Sequence, residues 1–389
     1  MAGKLRYGMV GGGIGSFIGP VHRMAAELDG LAELVCGAFS SDAERSYASG
    51  QALGIDPGRV YPDYQSMFEV ERELPSDERM DFVVIVTPNH LHYAPARMAL
   101  ENGFDVVCDK PMTLTLEEAQ DLERVVKNTG RLFALTHTYT GYPMIKKARS
   151  LVRSGALGRL RKVMVTYLQG WLASYPEGEG QKQAVWRTDP RCAGLTSTMG
   201  DIGTHAENLI SYVTGLEILE LSAQLNTLVP SRKMDDDGSV ILRYEGHVAG
   251  AILVSQVATG EENNVTLRIY GEHGGLEWNQ MEPNSLIVRW ADRPMEIHRT
   301  GTGVEGIGTG SVPAHRLPAG HPEGFIEAFA NIYQAFGKAL LDRKAGRPAP
   351  EEGYDFPTVE DGVRGMHFLT KVVESSRSEK KWIPFKDNR

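Results

Sequence analysis

The sequence predicts an α/β protein, with a doubly wound parallel sheet first and then an α+β domain on an open, mostly antiparallel sheet. Three observations support this fold class. A glycine-rich loop lies between an apolar run at residues 5–10 and a helical pattern that opens at Pro20. Strand and helix patterns then alternate as far as residue 136, which is typical of parallel βαβ units. Beyond it, strand-like segments follow one another. We therefore expect one domain over residues 1–136 and a second over residues 137–389.

The first element is the loop at residues 11–19, with the sequence GGGIGSFIG. Glycines let a backbone approach a pyrophosphate closely, and the N-terminus of the following helix attracts anions, so the loop predicts NAD as cofactor, with NADP possible. The spacing departs from G-x-G-x-x-G, because the third glycine comes only at Gly19. We expect Gly19 to have the helix-packing role of that third glycine. Residues 14–18 are then expected to form an enlarged lip over the pyrophosphate. The expected cofactor-binding residues here are Gly11, Gly13, Ile14, Gly15, Ser16, Phe17 and Ile18.

The second strand is predicted at residues 31–39, where an acidic residue would follow to bind the ribose of NAD. Ser40 occupies that place, so the sequence leaves the preference between NAD and NADP open. Residues 41–44 have the pattern of a capping box with Ser41 as the N-cap of the next helix. Ser40, Ser41 and Arg45 are candidates for contact with the adenosine ribose or its 2′-phosphate.

Two further strands are predicted at residues 81–87 and 104–108, the first nearly all apolar as in a sheet buried on both faces. Helices are expected at residues 93–101 and after Thr115, and a last strand at residues 132–136. Ligands bind outside the carboxyl ends of such strands, so the glycine loop and the segments that follow the two strands should share one crevice. The expected cofactor-binding residues in these segments are Thr87, Pro88, Asn89, His92, Asp109 and Lys110, with His92 also packing at the start of its helix.

Composition excludes several classes of protein. A formal net charge of −9 argues against general nucleic-acid binding. No apolar run approaches the ~18 residues that a membrane helix needs. The first strand begins too early to leave room for a signal peptide, so we expect a cytoplasmic protein. The three cysteines are far apart and odd in number, which predicts no disulfide framework, and no histidine or cysteine spacing specifies a metal site.

In the second domain, strands are predicted at residues 160–169, 218–225, 239–244, 248–257, 265–270 and 286–290. Helices are expected at residues 144–154 and 323–342, followed by a loop over residues 343–356, a final helix and a tail. An open sheet leaves one face uncovered, so we expect a homo-oligomer, either a homodimer or a homotetramer, built on that face.

Four ordered motifs stand along the chain: TPNHLH at residues 87–92, CDKP at 108–111, GDIGTH at 200–205 and GHPEGF at 320–325. Together they resemble the motifs of the Gfo/Idh/MocA family of oxidoreductases. Asp109 stands where the family usually has glutamate. The resemblance implies an N-terminal Rossmann domain and a C-terminal α+β domain whose open sheet forms one wall of the substrate site and often builds oligomers.

Oxidation of a secondary alcohol needs a base for the hydroxyl proton and a group that stabilises the developing alkoxide. Lys110, Asp201 and His205 supply these groups, and a helix would place Asp201 and His205 on one face. Histidine is a suitable base near neutral pH. The resemblance assigns proton abstraction to His205, donation to the same oxygen to Lys110, and orientation to Asp201, although family members differ on whether lysine or histidine is the base.

A loop between residues 171 and 189 is rich in aromatic and hydrogen-bonding side chains, which suits a sugar ring. For each single residue, ordinary packing or surface use remains the alternative. The candidates for substrate binding are Lys110, His137, Tyr139, Trp186, Arg187, Asp201 and His205.

The sequence thus predicts a nicotinamide-dependent dehydrogenase that oxidises a ring hydroxyl of a sugar, a sugar derivative or a cyclitol. The alternative is an NAD-dependent glycosidase that oxidises the ring transiently, eliminates the aglycone and recycles the cofactor. A non-catalytic sensor is a third possibility.

Overall fold

The structure is a computed structural model that describes residues 4–301, 314–351 and 353–386. The chain forms two compact units. The first extends to Gly141 and includes Phe325–Val363, and the second comprises Tyr142–Gly324 and the chain from Arg364 onward.

The first unit contains a five-stranded sheet in which all pairs are parallel, in the order β2-β1-β3-β4-β5. Its third and fourth strands in chain order are completely buried, as their continuous apolar sequences predict. This confirms the parallel sheet. The strands are β1 (Leu5–Gly11), β2 (Ala32–Ala38), β3 (Phe82–Val86), β4 (Asp105–Cys108) and β5 (Phe133–Leu135). The helices between them are α1 (Ile18–Glu27), α2 (Ala43–Ala52), α3 (Tyr64–Glu73), α4 (Tyr93–Glu101) and α5 (Leu116–Thr129).

Two helix starts differ from the prediction. Helix α1 begins at Ile18, because a proline within the first turn lacks only an N–H that has no intrahelical partner there, so Pro20 does not have to be first. The N-cap of α2 is Asp42, whose carboxylate accepts a hydrogen bond of 2.9 Å from the Arg45 N–H, so the assignment of Ser41 was wrong by one residue. The capping box at Thr115 is confirmed.

Helix α10 (Phe325–Lys344) belongs to the first unit, whereas the predicted boundary placed it in the second domain. Its buried face, which includes Phe329, Tyr333 and Phe336, joins the core formed by β1 and α1. At Gly337 a Cβ atom would lie 2.4 Å from the side chain of Leu31, so the helix approaches the sheet closely. The helical pattern was correct, but it does not reveal which sheet covers the helix.

The second unit contains a nine-stranded sheet in the order β13-β12-β11-β10-β6-β9-β8-β7-β14. Its described pairs are antiparallel except for β6 and β9, which are parallel. The prediction of a mostly antiparallel sheet is confirmed, although the sequence did not predict β11, β13 or β14. The strands are β6 (Leu160–Leu168), β7 (Ile218–Asn226), β8 (Asp237–Tyr244), β9 (Val248–Ser255), β10 (Asn264–Gly271), β11 (Gly274–Asn279), β12 (Ser285–Trp290), β13 (Glu296–Arg299) and β14 (Ile383–Pro384).

The strands of this sheet alternate between a buried and an exposed face. Val163, Val165 and Tyr167 of β6 are buried, whereas Ile241 of β8 and Leu253 of β9 lie on the opposite, exposed face. The remaining helices are α6 (Pro143–Arg153), α7 (Lys182–Arg187), α8 (Pro190–Ala193), α9 (Thr204–Thr214) and α11 (Val359–Arg377). The end of the predicted tail, residues 387–389, lies outside the described residues. In the described part of the chain, no helix has the length and apolar character needed to span a membrane.

Candidate active site

The glycine loop joins β1 to α1 with a backbone that only glycine adopts readily. Gly11, Gly12 and Gly15 have φ of +82°, +73° and +79°. A Cβ atom on Gly19, in the first turn of α1, would lie 2.5 Å from the Cα of Gly12. Gly19 therefore allows the helix to contact the loop, as the third glycine of a dinucleotide loop does.

Helix α2 anchors the middle of the loop. The Ile14 N–H donates to Ser49 Oγ at 3.1 Å, and Arg45 Nη2 donates to the Ile14 carbonyl at 3.2 Å. The side chains of Ile14 and Phe17 are 58% and 66% exposed. A Cβ atom on Gly13 would lie 2.6 Å from Ser49 Oγ, so the backbone is seated tightly here. A tight loop of positive-φ glycines before a ten-residue helix fits the pyrophosphate of a dinucleotide.

After β2, the residue that caps the next helix differs from the expected one. Asp42 is committed to capping α2, and the hydroxyl of Ser40 accepts a hydrogen bond of 3.1 Å from the Asp42 N–H. Ser41 and Arg45 are exposed. No carboxylate thus takes the position directly after this strand, and Ser40 is half-buried there.

His92 links the segments that follow β3 and β4. Its Nε2 lies 2.7 Å from the carbonyl oxygen of Thr87, and its Nδ1 lies 2.8 Å from that of Pro111. Burial lowers the pKa of this imidazole. Both ring nitrogens face backbone carbonyl oxygens, and a neutral imidazole donates to one of them. His92 therefore packs at the start of its helix as predicted, and its contact with the cofactor stays a prediction. Asn89 is buried in the 3₁₀ turn that precedes α4, next to the half-buried Pro88.

Asp109 follows β4 and is held from several sides. Its Oδ1 accepts hydrogen bonds of 2.9 Å from Thr136 Oγ1 and from the Lys110 N–H. His22 Nε2 lies 3.9 Å from the same oxygen. Burial raises the pKa of Asp109, but the nearby His22, Lys110 and His92 outweigh burial and hold the pKa well below its ordinary value. Asp109 is therefore a carboxylate directly beside Lys110, whose peptide bond to Pro111 is cis.

His22 lies beside Asp109 and was not predicted from the sequence. It is completely buried on α1, and its Nδ1 lies 2.7 Å from the hydroxyl of Tyr333 on α10. Burial raises the pKa of Tyr333 well above its ordinary value, so this phenol keeps its proton. The contact that distinguishes His22 is the one with Tyr333, more than 300 positions away in the sequence, so no local pattern indicates it.

His137 and Tyr139 follow β5 and are both buried. The 3₁₀ turn Thr138–Gly141 carries Tyr139, and the Thr140 N–H donates to the His137 carbonyl at 3.2 Å. Their burial places them in the interior of the first unit, so any contact with a substrate would be made from a recessed position.

In the second unit, Asp201 and His205 lie on consecutive turns before and within α9. The prediction of a helical segment is confirmed, but Asp201 lies in a π-helical turn, Met199–Gly203, so the four-residue spacing is not that of a regular α-helix. Single π-helical turns are frequent at functional sites. His205 is 7% exposed, and its ring centroid lies 6.3 Å from that of Tyr167.

The backbone before this turn is held by Asp235. Its carboxylate accepts hydrogen bonds of 2.6 Å from the Ser197 N–H and 2.8 Å from the Met199 N–H. Burial raises the pKa of Asp235 to about 6 in spite of these donors. The orientation of the helix start that carries Asp201 therefore depends on a buried carboxyl group.

Asp201 has two defined partners. Gln256 Nε2 donates to Asp201 Oδ2 at 2.9 Å, and Arg187 Nε lies 3.4 Å from the same oxygen. The Arg187 guanidinium also stacks on the ring of Trp186 at 4.1 Å from its centroid, and lies 6.0 Å from that of Trp171. The structure thus brings together Asp201 and the predicted substrate-binding residues Trp186 and Arg187.

A buried arginine holds the loop that carries these aromatic residues. Arg232 Nε donates to Glu177 at 2.7 Å, and its Nη1 donates to Asp236 at 3.1 Å and to the carbonyl of Leu172 at 3.0 Å. This arginine was not predicted, because a charged residue in a loop gives no sign of its burial.

The described residues contain no group of three or more histidine, cysteine and acidic side chains that could hold a metal ion. Cys36 and Cys108 are buried, and Cys192 is half-buried. Burial raises the pKa of all three thiols, so each is held as an unreactive thiol.

Comparison with known proteins adds independent findings. Residues 5–137 match the family model described as "Oxidoreductase family, NAD-binding Rossmann fold", and residues 145–277 match "GFO/IDH/MocA C-terminal domain". The chain is 32% identical over 386 residues to the uncharacterized oxidoreductase YfiI of Bacillus subtilis (strain 168), with 98% of this chain and 97% of that protein covered.

Two solved structures cover nearly the whole chain. An inositol dehydrogenase homolog from Azotobacter vinelandii, complexed with NADH and myo-inositol, has a TM-score of 0.90 at 33% identity over 98% of both chains. A structure of levoglucosan dehydrogenase in complex with NADH and levoglucosan has a TM-score of 0.81 at 25% identity, over 98% of this chain and 99% of that one. Levoglucosan dehydrogenase from Pseudarthrobacter phenanthrenivorans (strain DSM 18606 / JCM 16027 / LMG 23796 / Sphe3) is also 25% identical over 408 residues, with 98% of both chains covered.

One conclusion follows from the glycine loop before α1, the parallel sheet, the open second sheet and the two family models. The chain belongs to the Gfo/Idh/MocA family and is an oxidoreductase with an NAD-binding Rossmann domain.

Proposed function

We propose that the protein is an NAD-dependent dehydrogenase that oxidises a ring hydroxyl of a sugar, a sugar derivative or a cyclitol. The observation that carries the proposal is the arrangement around Asp201, which pairs with Arg187 and Gln256 one turn before the buried His205. Relatives that span the same length are named for inositol and levoglucosan and hold NADH together with such compounds. These ligands share a ring that carries several hydroxyl groups.

The cofactor would be held by the glycine loop and the segments after β2, β3 and β4. The glycines at 11, 13 and 15 offer their backbone to the pyrophosphate, and Ser40 and Arg45 lie at the position for the adenosine ribose. Thr87 and Asn89 follow β3, which is the neighbour of β1, and Lys110 follows β4, which is the neighbour of β3, so all three lie at the same edge of the sheet. NAD, when bound, supplies the acceptor for the hydride that leaves the substrate carbon.

The side chains divide the proton chemistry among them. His205 takes the proton of the reacting hydroxyl, because an imidazole is a good base near neutral pH. Lys110 donates a hydrogen bond to the same oxygen and stabilises the alkoxide as it develops. Asp201, which pairs with Arg187, presents a carboxylate that orients the substrate and tunes its neighbours.

The aromatic residues of the loop supply the binding surface. Trp171 and Trp186 flank Arg187, and aromatic faces suit the C–H faces of a polyhydroxylated ring. Arg187 is paired with Asp201, so the two opposite charges compensate each other, which favours a neutral substrate.

We also propose that the protein forms a homo-oligomer through the exposed face of the nine-stranded sheet. Ile241 pairs across the sheet with Ala251, which pairs in turn with Met164, so apolar and small side chains adjoin on this face. An open sheet face of this kind is a common interface between identical subunits.

A substrate screen tests the proposed activity. Purified protein is incubated with cyclitols, sugars, anhydrosugars and aryl glycosides, each with NAD and with NADP, while NAD(P)H formation and aglycone release are followed together. We expect NADH to accumulate with a cyclitol or sugar. Aglycone release without NADH would instead identify the glycosidase reaction.

Two variants test the assigned residues. Lys110→Met and His205→Asn should each lower kcat/KM by at least a hundredfold, and His205→Asn should leave NADH affinity within threefold of wild type. Lys127→Met and His247→Asn remove the same charge or ring from exposed positions and serve as matched controls. Full activity in both site variants would contradict the assignment.

A further inference from the structure

Gln256 follows β9 directly and is completely buried, and its amide donates a hydrogen bond to Asp201. We propose that Gln256 is a positioning residue that fixes the Asp201 carboxylate in a single orientation before substrate binds. The inference rests on the proposed function, because it matters only if Asp201 takes part in the reaction.

The backbone around Gln256 is fixed by the sheet. Strands β6 and β9 are parallel, and Leu168 pairs with Ser255, so the residues that follow the two strands lie side by side. The Gln169 N–H donates to the Ser255 carbonyl at 2.8 Å, and the Gln256 N–H donates to the Asp236 carbonyl at 2.9 Å. The backbones of Gln169 and Gln256 are therefore held in place, side by side, at the ends of these two strands.

Hydrogen bonds fix the direction of the Gln256 amide. Thr198 Oγ1 donates to Gln256 Oε1 at 2.8 Å, so the carbonyl end faces the threonine. Both hydrogens of the amide nitrogen are then used, one toward Gln169 Oε1 at 3.0 Å and one toward Asp201 Oδ2 at 2.9 Å. A flipped amide would place its oxygen against two acceptors, so only one orientation is compatible with the site.

The next residue in the network is fixed in the same way. Gln169 Oε1 also accepts a hydrogen bond from Trp171 Nε1 at 3.1 Å, and Gln169 Nε2 donates to Asn263 Oδ1 at 2.7 Å. The Tyr167 hydroxyl donates to that same asparagine oxygen at 2.8 Å. The network thus continues to Trp171, whose ring lies near Arg187, and to Tyr167, whose ring centroid lies 6.3 Å from that of His205.

A buried amide whose two hydrogens both have acceptors, as in Gln256, is held in one geometry. Hydrogen bonds to a carboxylate are stronger than those between neutral groups. Asp201 Oδ2 is therefore oriented by Gln256 and Arg187 without any contribution from a ligand, and this orientation does not have to be created when the substrate binds. Catalytic sites benefit from such preorganisation because no rearrangement is needed during the reaction.

The first test is Gln256→Met, which keeps the volume and removes both donors. The best substrate from the screen is used with NAD and the full-length protein. We expect kcat/KM to fall at least tenfold while NADH affinity stays within twofold of wild type. Gln120→Met, at an exposed position on α5, is the matched control and should change neither value. A lower melting temperature with unchanged kcat/KM would mean that Gln256 is only structural and would overturn the inference.

A double-mutant cycle shows whether Gln256 acts through Asp201. In an Asp201→Asn background, Gln256→Met should change kcat/KM by less than twofold, because the group that it positions is already lost. If the two effects multiply instead, the inference is wrong. If Asp201→Asn alone retains wild-type activity, the proposed function of Asp201 fails, and the inference fails with it. An inactive Asp201→Asn combined with an active Gln256→Met overturns the inference alone.

If the Gln256→Met variant does not fold, the Gln256→Glu variant provides the test. Its carboxyl would lie about 2.9 Å from Asp201 Oδ2, so the two acids would share a proton and repel each other once both ionise. Other charged or titratable groups of this region are Arg187, which pairs with Asp201, His205, which is one turn later in the helix, and Asp235, which holds the backbone at Ser197 and Met199. We expect kcat/KM of this variant to fall relative to wild type as pH rises from 5 to 9. A profile parallel to that of wild type would overturn the inference.

Discussion

Gly19 and Gly12 are in backbone contact: a Cβ atom on Gly19 would lie 2.5 Å from the Cα and 2.6 Å from the carbonyl oxygen of Gly12. Alanine is normally about 1 kcal/mol better than glycine inside a helix, so only this contact makes glycine the better residue here. Gly19→Ala should displace the loop, weaken NADH binding at least tenfold and lower the melting temperature. Fluorescence titration with NADH and thermal unfolding measure the two effects.

Gly365 provides the control for this change. It lies within α11, and a Cβ atom there would meet no atom within 4 Å. Gly365→Ala should therefore raise the melting temperature and leave NADH affinity unchanged. Wild-type NADH affinity in Gly19→Ala would contradict the packing role of Gly19.

The buried Asp235 should make stability depend on pH. Burial raises its pKa from 3.8 to about 6, so the folded protein binds this proton more tightly than the unfolded chain does. The stability from this group is full below pH 3.8 and is lost as pH rises to about 6. The difference in unfolding free energy between wild type and Asp235→Asn should shift by about 1 kcal/mol in favour of wild type from pH 7 to pH 5. Denaturant titrations measure this difference, and a constant value would refute it.

Ser40 tests how the site selects its cofactor. It is half-buried at the position where an acid would bind the ribose of NAD, and Asp42 is used as a helix cap. Ser40→Asp should weaken binding of NADPH at least tenfold, through repulsion of the 2′-phosphate, and change NADH affinity by less than threefold. The same substitution at the exposed Ser41 should have a smaller effect. Equal affinities for NADPH before and after Ser40→Asp would place the ribose elsewhere.

Ile241 tests the interface between subunits. Its side chain is 47% exposed on β8 in the proposed contact face. A buried carboxylate at an interface is costly, so Ile241→Asp should convert the oligomer into a monomer. Val70→Asp, at a similarly exposed position on α3, should not change the oligomeric state. Light scattering at micromolar concentration measures both, and a monomeric wild type would contradict the proposal.

Local patterns predicted much of the fold. Residues 93–101 form a helix with the predicted bounds, and Thr115 caps α5 as predicted, because both signals depend on neighbouring residues. The six-residue strand β11 begins with two consecutive glycines, which weaken its strand pattern, and it was missed. The packing of α10 on the first sheet depends on contacts between distant segments, which no local pattern contains.

The candidate site shows the same division. Lys110, Asp201 and His205 stand in recognisable motifs, whereas His22 and Gln256 are defined by partners far away in sequence. Neither a single histidine on an amphipathic helix nor a glutamine at the end of a strand indicates a function from its local sequence. The neighbours come from other segments, so these residues could not be predicted from spacing.

The most direct test of the proposed reaction is the fate of the hydrogen on the substrate carbon. The best substrate from the screen is prepared with deuterium at every ring carbon and converted with NAD, and the reduced cofactor is analysed by mass spectrometry and NMR. The proposed dehydrogenase transfers one deuterium to the nicotinamide for each molecule of ketone or lactone formed. Product formation with no deuterium in the cofactor, or with no net NADH, would contradict the proposed function.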